Sequence, residues 1–226
     1  MRIDVISAVP KLLKSPLNES IVKRAKEKKL IRIFIHDLRN YAEGRYRQID
    51  DKPFGGGAGM VLKPEPLFKC IEKLLEKRHY DEIIYLSPQG KKLNQKIANK
   101  LSLNENMIMI AGHYKGIDQR VIDAFVTMEL SIGDYVITGG ELAAAVLIDS
   151  VVRLLPGALG DSESALTDSF QTESGFDSPV YTRPAEFRNM NVPKVLLSGN
   201  HSEISKWKFQ QGQKKYSKIK REKINK

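Results

Sequence analysis

Three apolar segments of the sequence each run into a turn rich in small residues, and a helical pattern follows each turn. The turns are LSPQG at residues 86–90, AGHYKG at 111–116 and IGDYVITGG at 132–140. Short apolar segments of this kind are typical of buried strands. Strands that alternate with helices predict an α/β protein, with a mostly parallel sheet and helices on both of its faces.

The segments that precede these turns continue the same pattern. Residues 2–7 and 31–37 are predicted as strands, and residues 15–29 and 64–79 as helices. Residues 39–64 form a long, glycine-rich loop. A loop of that length is rarely a passive connector, so we expect it to bind something or to pack at an interface. The sequence leaves open whether Gly55–Gly59 in this loop touches a cofactor, a substrate or another subunit.

The three turns are predicted to form three walls of one pocket. In open α/β sheets, ligands bind beyond the carboxyl ends of the strands. Glycine lets the backbone come close to such a ligand. The stretch GGGAGM at residues 55–60 does not match G-x-G-x-x-G, and the sequence contains no Walker A pattern. Backbone amides beside Tyr, Leu, Ile and Pro instead suit an apolar planar group such as an adenine base.

The apolar helix predicted after the third turn carries two charged residues near its end, Asp149 and Arg153. Thr138 and Glu141 have the spacing of a capping box, and the helix that follows is expected to be buried nearly all round. Asp149 and Arg153 lie four residues apart, so the spacing alone favours an ion pair between them.

The charge of the chain is concentrated near its C-terminus. The net charge is +10, and residues 206–226 carry nine Lys or Arg against one Glu, a net charge of +8. Trp207, Phe209 and Tyr216 lie among these cations. Cations for phosphates and aromatics for bases are typical of nucleic-acid binding. Two other interpretations of the basic segment stay open: a solvated tail and, less favoured, a segment that binds an acidic membrane surface. For Trp207, a place in the core of a small domain is a simpler interpretation than base stacking.

Composition excludes several classes of protein. No apolar run approaches the length of a membrane span, and the first ten residues are too charged for a signal peptide. Cys70 is the single cysteine, which favours a reducing cytoplasm. With four scattered histidines, we expect no structural metal.

Composition also divides the chain. Residues 160–178 contain five acidic residues, no basic ones and little apolar mass, so we predict a linker there. The predicted domains are therefore residues 1–159, which hold the sheet and the pocket, and residues 179–226, a small helical domain with a basic tail.

Several long motifs resemble one known family. They are DDKPFGGGAGMVLKPEPL, YLSPQGK, AGHYKGID, SIGDYVITGGELAAAVLIDSVVRLLPG, DSF, YTRP and LLSGNHSEISKW. In this order, and over nearly the whole chain, they resemble the bacterial tRNA (guanine-N1)-methyltransferases of the SPOUT superfamily.

The resemblance implies a fold and an activity. The sheet would carry a C-terminal trefoil knot, and the protein would be a homodimer whose active sites use both subunits. S-adenosylmethionine would bind in the knot loops. The substrate would be tRNA, methylated on the guanine just 3′ of the anticodon (position 37) when another guanine precedes it.

The resemblance also implies site residues. Asp168 would be the general base, and Arg153 would stabilise charge at guanine O6, a role that replaces the simple ion pair with Asp149. The cofactor residues would be Tyr85, Leu86, Ser87, Pro88, Gln89, Gly90, Gly112, Ile132, Gly133, Asp134, Tyr135, Val136, Ile137, Gly139 and Gly140. For the tRNA backbone we expect contacts from Arg183, Lys194, Lys214 and Lys215.

One turn departs from the family pattern. The family often has Arg and Glu where this sequence has His113 and Lys115. A role of that Glu near the methyl donor or a metal ion is therefore in doubt, and a requirement for Mg²⁺ stays open. Two alternatives also stay open: a non-catalytic RNA-binding factor with a vestigial pocket, and a SPOUT methyltransferase that acts on ribosomal RNA or on a ribose.

Overall fold

The computed structural model describes residues 1–159, 170 and 176–224, with side chains as far as residue 217. The chain separates into two compact units, Met1–Gly160 and Asp161–Lys226. Most of the predicted linker, residues 160–178, lies outside the described residues.

The first unit is built on a five-stranded parallel sheet, which confirms the predicted α/β architecture. Its strand order is β2-β1-β6-β5-β7, and a separate antiparallel pair, β3 and β4, lies in the glycine-rich loop. The strands are β1 Arg2–Ser7, β2 Arg32–Asp37, β3 Asp50–Asp51, β4 Val61–Leu62, β5 Glu82–Lys92, β6 Asn106–Ala111 and β7 Met128–Ser131.

Helices cover both faces of the sheet. Two short 3₁₀ turns span Pro10–Leu13 and Leu38–Tyr41. The α-helices are α1 Ser20–Glu27, α2 Pro64–Leu75, α3 Gln95–Leu101, α4 Gln119–Phe125 and α5 Gly140–Val152. Helices α1, α3 and α5 share one hydrophobic core, and α2 and α4 share the core on the opposite face. The central strand β6 is buried on both faces from Met107 to Ala111, as expected for an interior parallel strand.

Asp4 is the one charged residue fully buried in the middle of the sheet, among the described residues. Its carboxylate accepts hydrogen bonds from Arg2 (2.6 and 2.9 Å), His36 (2.7 Å) and Tyr80 (2.9 Å). Burial by itself raises the pKa of Asp4, but the hydrogen bonds from His36, Arg2 and Tyr80 outweigh it and bring the pKa to about 2. The hydrogen bonds from Arg2, His36 and Tyr80 therefore offset the cost of burying the negative charge of Asp4.

Two helix boundaries differ from the prediction by more than two residues. Helix α1 begins at Ser20 instead of Ser15, because Leu13 and Leu17 are buried and hold the preceding residues in turns against the core. Helix α2 ends at Leu75 instead of His79, since the chain must turn there to bury Tyr80 against Asp4. Tertiary packing overrides the local helical pattern in both places.

The second unit is small. Strands β8 Glu186–Phe187 and β9 Met190–Asn191 form a hairpin, followed by α6 Lys194–Leu197 and α7 His201–Ile224. The side chain of Asn200 caps α7 by accepting from the amides of Ser202 and Glu203 (3.2 and 3.3 Å).

Candidate functional site

The carboxyl ends of β5, β6 and β7 surround a cleft of about 500 Å³. This volume is typical of sites for small molecules and cofactors. Each wall is one of the three turns that the sequence singled out. The lining residues are Tyr85–Gln89, Gly112–Ile117, Gln119, Ile122, Glu129–Gly133, Tyr135–Gly140 and Ala143.

The first wall is a bulge inside β5. Leu86 and Lys91 both pair with Leu130, so the residues between them loop out of the ladder. The strand was expected to end at this turn, but it resumes at Lys91 along β7. Gly90 lies behind the bulge: a Cβ there would be 2.5 Å from the backbone nitrogen of Leu130. The close approach of the two backbones therefore requires glycine at this position.

The second wall, residues 112–116, packs on Tyr85. A Cβ on Gly112 would lie 2.9 Å from the Tyr85 ring, and one on Gly116 (φ +126°) would lie 3.0 Å from its hydroxyl. Burial raises the pKa of Tyr85. The backbone of the turn is also tied to the glycine-rich loop, because Lys115 N donates to Met60 O at 3.0 Å. That loop supports the turn from behind, and residues 55–59 are not among those that line the cleft.

The third wall runs from β7 to α5. The hydroxyl of Ser131 donates to Gly133 O at 3.0 Å and accepts from Gly133 N at 3.2 Å, which fixes the first bend. Tyr135 and Val136 line the cleft with exposed side chains. Asp134 is not among the lining residues, and its carboxylate pairs with Lys92.

The start of α5 lies against the second wall. Gly140 N donates to Gly112 O at 2.6 Å, and Gly139 forms an isolated antiparallel bridge with His113. A Cβ on Gly140 would be 2.7 Å from Gly112 N and 2.8 Å from Ala111 Cα. Two backbones can approach this closely only without a side chain at residue 140.

The predicted capping box is wrong. The N-cap of α5 is Gly139, which has no side chain to cap the helix, and Glu141 points into the protein. Its Oε1 accepts from the hydroxyl of Ser7 (2.8 Å) and from Val9 N (3.2 Å). Glu141 therefore ties the start of α5 to the end of β1.

A second correction concerns the burial of α5. The helix was expected to be buried nearly all round, but Leu142 and Val146 are 51% and 46% exposed. Helix α5 covers one face of the sheet, and among the residues that the structure describes these two side chains stay about half exposed.

Two polar atoms at the cleft have no hydrogen-bond partner among the described residues. They are Nδ1 of His113 and Oε2 of the fully buried Glu141, and they face each other at 3.8 Å. A buried polar atom without a partner costs about 1–3 kcal/mol. At the junction of the second and third walls, these two atoms therefore lie close together without forming a hydrogen bond.

The structure brings together most of the predicted cofactor residues. Thirteen of the fifteen line the cleft, and Gly90 and Asp134 do not. Sequence reasoning missed several lining residues that lie outside the three turns, among them Gln119, Ile122 and Glu129. Glu129 lies with Leu130 and Ser131 in the last three residues of β7, so its place at the carboxyl end of a parallel strand is the signal that could have found it.

The residues predicted for catalysis and for tRNA are not among the described residues that line the cleft. Arg153 is the C-cap of α5, about 20 Å along the helix axis from Gly140 at about 1.5 Å per residue. Asp168 lies outside the described residues. In the second unit, all four predicted tRNA-binding residues are exposed: Arg183, Lys194, Lys214 and Lys215.

Two further features bear on the site. Within the described ranges, no group of three or more His, Cys, Asp or Glu side chains could hold a metal ion. No helix in the same part of the chain is long and apolar enough to cross a membrane.

A parallel sheet with a ligand-sized cleft at its carboxyl edge defines a class of α/β protein that binds a small molecule between backbone turns. The family model of the tRNA (Guanine-1)-methyltransferase TrmD matches residues 1–226. The chain belongs to this family, and the resemblance seen in the motifs is confirmed.

Curated relatives agree with the family match. The chain is 55% identical over 219 residues to a tRNA (guanine-N(1)-)-methyltransferase of Christiangramia forsetii, covering 97% of this chain and 96% of the relative. Proteins of the same name from Chlorobaculum tepidum and Bacteroides fragilis are 54% and 52% identical. Those two matches cover 92% and 93% of this chain, and 90% and 93% of the relatives.

Proposed function

We propose that the chain transfers a methyl group from S-adenosylmethionine to N1 of the guanine just 3′ of the anticodon in tRNA. The observation that carries this proposal is the cleft between the three turns, in a chain that matches the methyltransferase family from end to end. Because its substrate is tRNA, we place the enzyme in the cytoplasm.

The cleft fits S-adenosylmethionine in size and in chemistry. It offers backbone amides and carbonyls from three turns, with apolar side chains from Leu86, Ile132 and Ile137 between them. Such a surface holds a planar adenine by main-chain hydrogen bonds. The thirteen lining residues from the predicted set would hold the donor, and Gly90 and Asp134 would support them from outside the cleft.

The protein residues must make the acceptor nucleophilic. The donor supplies an already activated methyl group, so the enzyme has to align it with guanine N1. N1 of guanine carries a proton, and we propose that Asp168 removes it. Negative charge then builds toward O6, where the guanidinium of Arg153 stabilises it. An aspartate with an ordinary pKa of about 3.9 is a weak base, and exclusion of water by the bound tRNA would raise that pKa.

The position of Arg153 supports a homodimer. About 20 Å of helix separates it from the cleft end of α5, farther than its own side chain can reach. A second copy could supply Arg153 to the cleft. The exposed Leu142 and Val146 on the same helix offer an apolar surface for that copy.

We also propose the trefoil knot of the family. The support is the path of residues 132–139, which lead from the edge strand β7 past the end of β5. There Gly139 pairs with His113 after β6. This return of the chain across the edge of the sheet is one part of the course that a knot requires, the other being passage of the chain through a loop.

The second unit is proposed to hold the tRNA. Arg183, Lys194, Lys214 and Lys215 are exposed, and the last two lie on the basic helix α7. Cations spaced along a surface neutralise backbone phosphates and position the nucleic acid. The target guanine would then leave its stack to meet the donor.

Methyl transfer to matched transcripts tests this function. Two tRNA transcripts would differ only in guanine or adenine 3′ of the anticodon. With labelled donor, we expect 1-methylguanosine in the first and no label in the second. Equal label in both, or ribose methylation, would contradict the proposal.

The role of Asp168 has its own test. Asp168→Asn should keep the Kd for S-adenosylmethionine, measured by calorimetry, and lose methyl transfer. Asp161→Asn changes another acid of the same segment and serves as the control, with normal transfer. Normal turnover in Asp168→Asn would remove the assignment.

A further inference from the structure

The contact between His113 and Glu141 joins two walls of the cleft. His113 follows Gly112 in the second wall, and Glu141 is the second residue of α5. Glu141 is fully buried and fixed through Oε1 by Ser7 and Val9, so its Oε2 cannot move far. Oε2 and His113 Nδ1 have no other partner among the described residues, and 3.8 Å separates them.

Gly139 makes room for this contact. A Cβ on Gly139 would lie 2.5 Å from both Glu141 Oε2 and His113 Nδ1. The antiparallel bridge between Gly139 and His113 brings the imidazole into this position. The ring of Tyr114 packs edge-on against His113, with centroids 4.6 Å apart, and limits its rotation. The local backbone thus aims the imidazole at the carboxylate.

We propose that His113 is a positioning residue that donates a hydrogen bond from Nδ1 to Oε2 of Glu141. A shift of about 1 Å closes the gap to hydrogen-bond distance. The bond holds Gly112 against Gly140. Because these two glycines belong to the second turn and to the start of α5, the bond also holds the turn against the helix. It thereby fixes the shape of the cleft before the donor arrives. This effect on the donor rests on the proposed function, whereas the bond itself does not.

The tautomer of His113 tests the bond directly. In the full chain labelled with ¹⁵N-histidine, long-range ¹H–¹⁵N correlations show which ring nitrogen carries the proton. Loss of one signal set in His113→Asn assigns the residue among the four histidines. We expect Nδ1 of His113 to be protonated, as the neutral Nδ1–H form or as imidazolium. An unprotonated Nδ1 would overturn the proposal.

Two variants test the consequence for the donor. His113→Asn places an amide N–H near the position of Nδ1, and His113→Leu has no donor. For a hydrogen bond to a charged group, we expect the Leu variant to bind S-adenosylmethionine about tenfold more weakly or worse. The Asn variant should stay within about threefold of the wild type. Equal loss in both variants, or none in the Leu variant, would overturn the positioning role.

The two experiments separate failure of this inference from failure of the proposed function. If the wild-type chain binds no S-adenosylmethionine, the proposed function fails, and the tautomer still decides whether the bond exists. If His113→Leu does not fold, as judged by thermal unfolding, the tautomer measurement and the Asn variant decide the question.

Discussion

Gly140 offers a sharp test of the cleft, because its surroundings consist of backbone. A methyl group added there would lie 2.7 Å from Gly112 N, 2.8 Å from Ala111 Cα and 3.0 Å from Ala111 C. None of these atoms belongs to a flexible side chain. Gly140→Ala must therefore move the second turn away from α5 and break or stretch the 2.6 Å hydrogen bond from Gly140 N to Gly112 O.

The size of the effect follows from the cost of overpacking. One extra methyl group in a closely packed site costs about 1–3 kcal/mol. For a unit of this size, each kcal/mol lowers Tm by about 2–4 °C, so we expect a loss of about 2–12 °C. At about 1.4 kcal/mol per tenfold change in affinity, the same strain in the cleft weakens donor binding by about 5- to 150-fold.

Calorimetry with S-adenosylmethionine and thermal unfolding measure both effects. Gly44→Ala is the matched control: it makes the same chemical change at a φ of +79°, with no atom within 4 Å of the new Cβ. The control should lose stability through its backbone strain and keep the wild-type Kd. Gly140→Ala with wild-type Tm and Kd would refute the packing that we describe.

Three further predictions address other parts of the molecule. Val146→Asp, in the exposed apolar surface of α5, should convert a dimer to monomers in sedimentation velocity and abolish methyl transfer; an unchanged dimer would contradict the proposed interface. The pKa of Asp4 is about 2 in the folded state, below its usual value of 3.8. At about 1.36 kcal/mol per pKa unit, the ionised carboxylate therefore adds about 2.5 kcal/mol to the free energy of unfolding above about pH 4. That contribution should be lost as the pH falls toward 2, and Asp4→Asn should show a flatter acid profile in chemical denaturation; parallel profiles would contradict it. Replacing Lys214 and Lys215 by Gln should reduce the salt dependence of tRNA affinity by roughly 1–2 in the slope of log K against log salt, and an unchanged slope would remove them from the interface.

Much of the first unit could be predicted from local pattern. The strands before the second and third turns are short and apolar, and the glycine turns mark their ends, so both the parallel sheet and the position of the cleft followed from the sequence. This worked because each wall is contiguous in the chain. The carboxyl ends of parallel strands then bring the walls together.

The predictions for Glu141 and for the end of β5 were wrong because the same local sequence is compatible with two structures. Glu141 has the spacing of a capping residue, but Ser7 and Val9, more than 130 residues away, offer it buried donors instead. The turn after Leu86 has the composition of a strand end, yet β7 gives the chain a partner on which the strand resumes. Such long-range partners are not visible in a short window of sequence.

The position of Arg153 shows a signal that could have been used. The length of the apolar helix, multiplied by the helical rise, already places Arg153 far from the turn that begins the helix. A single chain could therefore not be expected to bring Arg153 to its own cleft. The separation of Arg153 from the turn, and not the residue type alone, is what supports the proposal that a second copy supplies Arg153.

Hydrogen exchange measured by mass spectrometry tests the central claim most directly, namely that the three turns hold the methyl donor. With S-adenosylmethionine bound, we predict slower exchange in peptides that cover residues 85–92, 111–118 and 131–141, and little change in α7. Protection concentrated elsewhere in the chain, or the absence of any protection at saturating donor, would contradict the account.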